Sequence, residues 1–443
     1  MKRLARTPKL SESEEQKAVL SLDNKEVVEI VNDYNERYLH WEEVNRRKDK
    51  LPVKPEYIWH LMKFFRIMKS RSIVFGRYSL HYNILDDFQE KLHILDKGAA
   101  GNLASTIDAI SDTREKYILN SLMEEAIASS QIEGATPSRR VAKEMLRENR
   151  RPRNKDERMI INNYNTMKYI LKIKNEELTP ELLLEIQKRM TYGTLDDKED
   201  EGTFRDNNEI RVFDNDGEVL HVPPEHSEIP ELVDALCDFA NDRNNNFVHP
   251  IIKGILLHYL LNYIHPFNDG NGRTGRSLFY WYVLRKDYWL FEYMSVSRLI
   301  YQKRRQYKMA YQYAESDLMF DSDNGLGDLT YFIRFNLNTI MESLEHIQKY
   351  LKEKQKEQYL ALKKLEESDN LNTRQLQIIR EFVKHPQKTI NIKTIMSTYG
   401  VAYATARNDL FYLEKLGYLK KIKAGKEFIF IFNDSRKSDE ENI

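Results

Sequence analysis

Apolar positions recur at helical spacing over most of the chain. Ile160, Tyr164, Met167 and Leu171 are spaced four, three and four, which places them on one helix face. Thr179 and Pro180 then read as N-cap and first residue of a helix running to Met190. Ile251 to Ile264 is apolar almost all round behind Pro250, the pattern of a buried central helix. Leu337, Ile340, Leu344, Ile347 and Leu351 form a coiled-coil-like stripe that continues into the charged stretch Lys352 to Glu367. The pattern is helical from about residue 55 to about 175, whereas the polar residues before 55 define no clear element.

One interior segment has a different period. Ile210-Arg211-Val212-Phe213, Asp214-Asn215-Asp216-Gly217 and Val219-Leu220-His221-Val222 predict a short hairpin with an Asp-Gly turn, closed by Pro223-Pro224. An isolated hairpin is marginal in water. It therefore lies on the helical body or offers its edge to something else.

Ser368-Asp369-Asn370 reads as a linker, and beyond it the character changes. Residues 371–436 hold 12 lysines and arginines against five acidic side chains, net +7. Three short helical patterns precede two strand-like runs, Tyr418 to Ile422 and Glu427 to Phe432, with Lys423 to Lys426 between them. That order resembles a winged helix. Its recognition-helix candidate is Ala402 to Leu416, with Tyr403, Thr405, Arg407 and Asn408 near the start. Both DNA and protein contacts remain open for it, since +7 is modest for phosphate binding.

Composition narrows the class. Glycine and proline number 16 and 12 in 443 residues, about half of the usual ~12% share, as expected for long helices. The single cysteine, Cys237, excludes a disulfide scaffold and a cysteine-rich zinc module. No run approaches the ~20 apolar residues of a membrane helix, and Met1 to Glu15, basic and then acidic with no apolar core after it, does not read as a signal peptide. The expectation is a soluble cytoplasmic protein with no membrane partner.

The chemistry concentrates in His265-Pro266-Phe267-Asn268-Asp269-Gly270-Asn271-Gly272-Arg273-Thr274-Gly275-Arg276. Pro266 forces His265 out of helical geometry and ends the buried helix there. The glycines permit close backbone approach, and the loop feeds a helix N-terminus, whose free N–H groups suit phosphate. Arg273 and Arg276, three apart, can grip phosphate oxygens. Asp269 is a hard oxygen ligand placed for Mg²⁺. His265, with an ordinary pKa near 6.5, is suited to take a proton from an attacking hydroxyl. Together these groups read as transfer of a phosphate-containing group. Gly270, Gly272 and Gly275 also spell GxGxxG, but a helix precedes them where a Rossmann unit needs a strand. The kinase motifs are missing too. His249, His258 and His265 lack the HExxH pattern of a metalloprotease and fit buried hydrogen-bonded histidines better than a metal cluster.

The stretch matches HPFx[D/E]GNGRxxR, and the chain resembles the Fic family over roughly residues 120–310. Gly202-Thr203-Phe204-Arg205, Val222-Pro223-Pro224 and His249-Pro250 fit that family's layout. The resemblance implies transfer of AMP from ATP to a Ser, Thr or Tyr hydroxyl of a protein. His265 would be the base, with Phe267 anchoring the loop. Asp269 would hold Mg²⁺ between the α- and β-phosphates. Gly270, Asn271, Gly272, Arg273, Thr274, Gly275 and Arg276 would bind ATP. Thr203, Phe204, Arg205, Ile210, Arg211 and Val212 would belong to a flap on which the target's main chain adds as a strand. Tyr301, Tyr307 and Tyr311, in one helix from Ser297 to Tyr313, come from the region that lines the family's adenine pocket, though core packing is an equal reading. Ser129-Ser130-Gln131-Ile132-Glu133-Gly134 fits the family's inhibitory motif, in which Ser129 belongs to the helix and Glu133 would pair with Arg276. Gly134 also reads as an ordinary helix cap.

The expected fold is mainly α: a Fic helical bundle with a short β-hairpin flap, plus a C-terminal winged helix. The expected division is a helical region 1–115, a catalytic core 116–325, a long helix and linker 326–370, and a winged helix 371–436. Two competitors stay open: Fic-like transfer of another group (UMP, phosphocholine or phosphate), and a regulator binding DNA through 371–436. A homodimer is a further partner the resemblance leaves open.

Overall fold

The computed structural model describes residues 4, 7–100, 114–213, 217, 219–243, 247–316, 325–368, 371–384, 388–424 and 427–433. The proposed hairpin turn at Asp214 to Asp216, most of the linker at Asp369-Asn370 and the wing-tip residues Gly425-Lys426 lie outside them. The described residues form two compact units. One is built from residues up to Ala100 and from Asn120 to Leu344; the other holds the residues from Glu345 onward, together with those before Asn120 in the helix that begins at Arg114.

Most of the first unit is helical. The stretch before residue 55, undefined by its pattern, forms helices Glu12–Leu20, Lys25–Glu36 and Trp41–Asn45. Val27, Val31, Trp41 and Val44 bury their side chains against Ile58, Trp59 and Met62 of helix Pro55–Lys69. Strands interrupt the expected helical run. Arg71–Phe75 and Tyr78–Tyr82 pair antiparallel, and Gly325–Asp328 joins the second strand in parallel. Five residues per strand with Ile73 and Phe75 buried and Ser72 and Val74 exposed is a period-2 signal too short to stand out beside long helices. Gly76, at φ +52°, makes the tight turn between them.

The core of this unit is the pair Pro250–Ile264 and Asn271–Arg285. The first starts at the His249 side chain, whose Nδ1 accepts from Ile251 N at 3.3 Å, and at Pro250. Every residue from Ile251 to Leu261 is buried. Each helix contributes a glycine where the other passes. A Cβ on Gly254 would lie 3.1 Å from Phe279 and Val283, and one on Gly275 would lie 2.8 Å from Asn262 Nδ2. The expected single helix from Ser297 to Tyr313 is broken into Val296–Gln302 and Arg304–Ser316. Lys303 turns the chain at φ −107°, ψ 25°, its N–H shared between the Leu299 and Ile300 carbonyls.

The hairpin forms as Val212–Phe213 against Val219–His221. It rests on the body through His221, whose Nε2 lies 2.7 Å from Tyr263 O and whose Nδ1 lies 3.0 Å from Glu315 Oε1. Helix Thr330–Ser368 supplies its first part to this unit and the rest to the second.

The second unit contains helices Thr373–Lys384, Ile392–Tyr399 and Tyr403–Lys415 and strands Leu419–Ala424 and Glu427–Phe432. A short strand, Ile390–Asn391, pairs with the outer side of the last one. Gly400, left-handed at φ 64°, closes the second helix, and Ala402 opens the third. Leu376, Ile379, Phe382, Ile395, Leu410, Leu413 and Phe430 form the core. This is a winged helix-turn-helix.

Candidate active site

The corner between the two central helices is set by a left-handed histidine. His265 has φ 49°, ψ 56°, and its N–H returns to Leu261 O at 2.9 Å. Its Nδ1 sits 3.1 Å from Asn262 O. A carbonyl can only accept, so Nδ1 carries the proton and Nε2 keeps its lone pair. Burial pushes the imidazole pKa down to about 4; the Asn262 carbonyl and Glu133 oppose that shift, and His221 and Arg205 add to it. His265 is therefore neutral at physiological pH.

The loop after it is braced from within. Phe267 is fully buried, with Phe204 stacked on it at 5.5 Å. The Asn271 side chain holds Phe267 on both sides: Oδ1 accepts from its N–H at 3.1 Å, and Nδ2 donates to its carbonyl at 2.8 Å. The carboxamide proposed for nucleotide contact is thus already used within the loop. Gly270 adopts φ 87°, and a Cβ there would strike Thr191 at 2.8 Å. The helix beginning at Asn271 has no side-chain cap, so its first N–H groups face the loop as an anion nest. Gly275 serves the helix crossing, and Thr274 is buried with no partner for its hydroxyl among the described residues.

The two arginines differ. Arg273 is fully buried, donating from Nη1 to Met190 O at 3.2 Å and from Nη2 to Asp269 Oδ2 at 3.3 Å, while its Nε has no partner among the described residues. Arg276 is committed to the helix Arg114–Ile132 and the residue just after it. Nε donates to Ser129 Oγ at 2.8 Å, and Nη2 donates to Ser129 O at 2.9 Å and to Glu133 Oε1 at 2.8 Å. Glu133 also sits over the nest: a Cβ on Gly272 would be 2.1 Å from its Oε1. Burial alone would raise the Glu133 pKa, but Arg276, then Arg273 and His265, hold it below the usual glutamate range. A carboxylate therefore lies against Gly272 at the start of helix Asn271–Arg285.

Asp269 is half exposed. Its Oδ1 accepts from Gly270 N at 2.6 Å and its Oδ2 faces Arg273. No cluster of three or more His, Cys, Asp or Glu gathers anywhere among the described residues, at Asp269 included. One hard oxygen donor beside a phosphate nest fits Mg²⁺, which keeps several waters and takes phosphate oxygens for the rest.

The flap residues divide by position. Ile210, Arg211 and Val212 lie along its first strand or just before it, half-buried, with the Arg211 guanidinium turned back on the Asn208 and Ile210 carbonyls. Thr203, Phe204 and Arg205 lie at its root; the Thr203 hydroxyl donates to Glu199 O, and Arg205 is buried. Tyr307 is buried and Tyr311 half-buried beside His258; Tyr307 Oη is 2.9 Å from His258 Nε2. Tyr301 lies in the preceding helix, half-buried. Gln187 was missed from sequence. Fully buried, it donates to Asp269 O at 3.1 Å and accepts from Gly202 N at 2.6 Å. A glutamine among Leu183, Ile186 and Met190 on a buried helix face is the signal that marks it.

The geometry defines a helical protein with a neutral histidine, an uncapped helix start and a carboxylate beside it, paired with Arg276. Residues 177–283 match the model of the Fic/DOC family, and residues 374–430 that of the DeoR-like helix-turn-helix domain. Among curated relatives, the protein adenylyltransferase Fic of Nematostella vectensis is 37% identical over 105 residues, covering 24% of this chain and 22% of that protein. The protein of the same name from Culex quinquefasciatus is 32% identical over 172 residues, 38% of this chain and 29% of that one. The matched stretches thus span less than a third of those relatives. A Fic family protein from Desulfovibrio desulfuricans G20 has the same fold over 80% of this chain and 98% of that one, with a TM-score of 0.52 at 18% identity. The chain carries a Fic domain followed by a winged helix-turn-helix domain of the DeoR-like type. No helix among the described residues is long and apolar enough to cross a membrane.

Proposed function

We propose that the chain is a protein adenylyltransferase that moves AMP from ATP to a Ser, Thr or Tyr hydroxyl of a target protein, and that Glu133 restrains it. The observation carrying this reading is the Glu133 carboxylate seated between Arg276 and Gly272, near enough to act electrostatically on a histidine whose Nε2 is left to accept a proton. The curated relatives' names point the same way.

In the proposed step the target hydroxyl oxygen attacks the α-phosphorus of ATP. The new O–P bond forms as the bond to the bridging β-phosphate oxygen breaks, and pyrophosphate leaves. The hydroxyl proton passes to His265 Nε2. The uncapped N–H groups at Gly272, the unpartnered Arg273 Nε and the released Arg276 would hold the phosphates. Mg²⁺ held at Asp269 would supply charge neutralisation of the polyphosphate. The edge of strand Val212–Phe213 would take the target's main chain and align its hydroxyl. While Glu133 grips Arg276, that arginine cannot orient the outer phosphate.

His265→Ala should abolish labelling of protein from α-labelled ATP; undiminished labelling would sink the mechanism. Mass spectrometry of the product separates AMP from UMP, phosphocholine or phosphate.

A second activity has its own support in the C-terminal unit. Tyr403, Arg407 and Asn408 are exposed at the start of the recognition helix, while Asp409 is buried and accepts from Arg374, Gln375 and Asn372. That face suits a DNA major groove. The full chain should shift duplex DNA in a salt-dependent manner, and Arg407→Ala should weaken the shift; binding unaffected by salt would refute it.

A further inference from the structure

Arg205, assigned from sequence to the docking flap, is only 4% exposed. Its peptide N–H donates to Pro266 O at 2.9 Å, and its Nε donates to His265 O at 2.9 Å. Nη1 donates to Asn207 O at 2.7 Å, and Nη2 to Pro224 O at 2.5 Å. The hairpin leaves the body just after Asn207 and returns at Pro224. One planar guanidinium therefore joins both roots of the hairpin to the carbonyl of the histidine. That histidine stands in the left-handed region, which residues with a Cβ hold only where the surroundings over-determine them.

We propose that Arg205 is a positioning residue of the transfer reaction, holding the His265 corner and the two flap roots in one register so that base and docked hydroxyl meet. This rests on the reading of His265 as base and of the hairpin as docking edge. Three acceptors in fixed directions need a fork, which lysine cannot reproduce. Misplacement by about 1 Å costs on the order of 10²-fold in rate. Arg205 also supplies charge. The groups facing the imidazole are His221 on the second hairpin strand, Arg205 at the flap root and Glu133, with the Asn262 carbonyl on Nδ1. Arg205 and His221 disfavour its protonation, whereas Glu133 and the carbonyl favour it.

The test uses the full chain carrying Glu133→Gly, with Arg205→Lys or Arg205→Met added, and self-modification from labelled ATP as the readout. His265 is titrated by NMR on histidine-labelled protein, its resonance identified by loss in His265→Ala. Arg205→Lys should lower turnover roughly 10- to 100-fold, leave the KM for ATP within about threefold and leave the His265 titration in place. Arg205→Met should lower turnover at least as far and move that titration, with the acid limb of the rate profile, to higher pH. Full turnover in the lysine variant, or a raised KM for ATP with turnover kept, overturns the proposal. So does a chain that unfolds even with lysine, because the residue would then serve the fold alone. If the Glu133→Gly parent transfers no AMP, the functional reading fails by itself. Arg205 is then judged on the His265 titration and on amide exchange in Val212–Phe213 and Val219–His221, and no change in either overturns it.

Discussion

Replacing Glu133 by glycine isolates the restraint from the rest of the site. The carboxylate makes one charge-assisted hydrogen bond to Arg276 at 2.8 Å, and the arginine keeps its two contacts with Ser129. A hydrogen bond to a charged partner contributes about 1.5–3 kcal/mol. At about 1.36 kcal/mol per decade, freeing Arg276 should raise AMP transfer at subsaturating ATP roughly 10- to 150-fold. Glu133→Gln retains the shape and loses the charge, so it should fall between parent and glycine variant. The assay is initial-rate labelling from α-labelled ATP, with pyrophosphate release as a second readout. Adding Arg276→Ala to Glu133→Gly should return the rate to the parent level or below, because the residue being freed is gone. A Glu133→Gly rate within twofold of the parent would refute the reasoning. A double variant as fast as Glu133→Gly would show that Arg276 is not what the glutamate withholds.

The remaining expectations concern single groups. Because His265 titrates at about 4, kcat/KM should rise with pH through about 4 and then stay level, with activity lost below as the imidazole charges; a limb near 6.5 would mean the ring is not buried in solution. Ser129→Ala removes the hydroxyl that takes Arg276 Nε, so it should relieve inhibition by less than Glu133→Gly, as labelling rates will show. Asp269→Ala should raise the Mg²⁺ concentration needed for half-maximal rate; an unchanged Mg²⁺ curve would remove that role. Gly275→Ala would press a methyl within 3.2 Å of His258 O and 2.8 Å of Asn262 Nδ2, so denaturant melts should show a loss of about 1–3 kcal/mol. His221 is pulled down by burial, but Glu315 and the Tyr263 carbonyl outweigh this and raise its pKa. Its grip on the hairpin is therefore complete below the unfolded value of about 6.5 and lost as pH rises through the higher folded value, so hairpin amide exchange should quicken with pH beyond its intrinsic trend.

Two kinds of information were readable in the residues before any coordinates. The first is local. Pro266 dictated that His265 leave the helix, and it does so at φ 49°. The unbroken apolar run of Ile251 to Leu261 dictated a helix buried on every side. The winged helix followed from three helical patterns and two strands close together in sequence. The second is the dense motif 265–276, in which base, nest and arginines share twelve consecutive positions. What was not readable depends on the partner strand or on a second side chain. Arg71–Phe75 and Tyr78–Tyr82 look like a break in a helical run until Gly325–Asp328 adds a third strand some 240 positions later. The role of Arg205 had the same character: beside Thr203 and Phe204 it reads as flap, and only the Pro224 and His265 carbonyls disclose a clamp.

That division has a physical origin, and it predicts where sequence reading of this site fails. Backbone conformation is decided by a residue and its neighbours, so a proline or glycine can be interpreted where it stands. A buried donor is decided by which acceptors the fold brings within about 3 Å, and burial makes every such pairing compulsory. Arg273 and Arg276 have equal standing in the motif, one turn apart on a single helix. The fold gives Arg276 a carboxylate and leaves Arg273 with a fully buried Nε that has no partner among the described residues. An unpaired buried donor beside a phosphate nest is costly alone and is relieved by an anion. On the proposed function, Glu133 would hold back one arginine, and the other's Nε would be left for a phosphate oxygen. ATP should accordingly bind the parent chain and Glu133→Gly with dissociation constants that differ far less than their transfer rates. Isothermal titration of both proteins with ATP measures this directly. If the affinity difference matched the whole rate difference, Glu133 would act by excluding the nucleotide, and the separate duties assigned to the two arginines would be wrong.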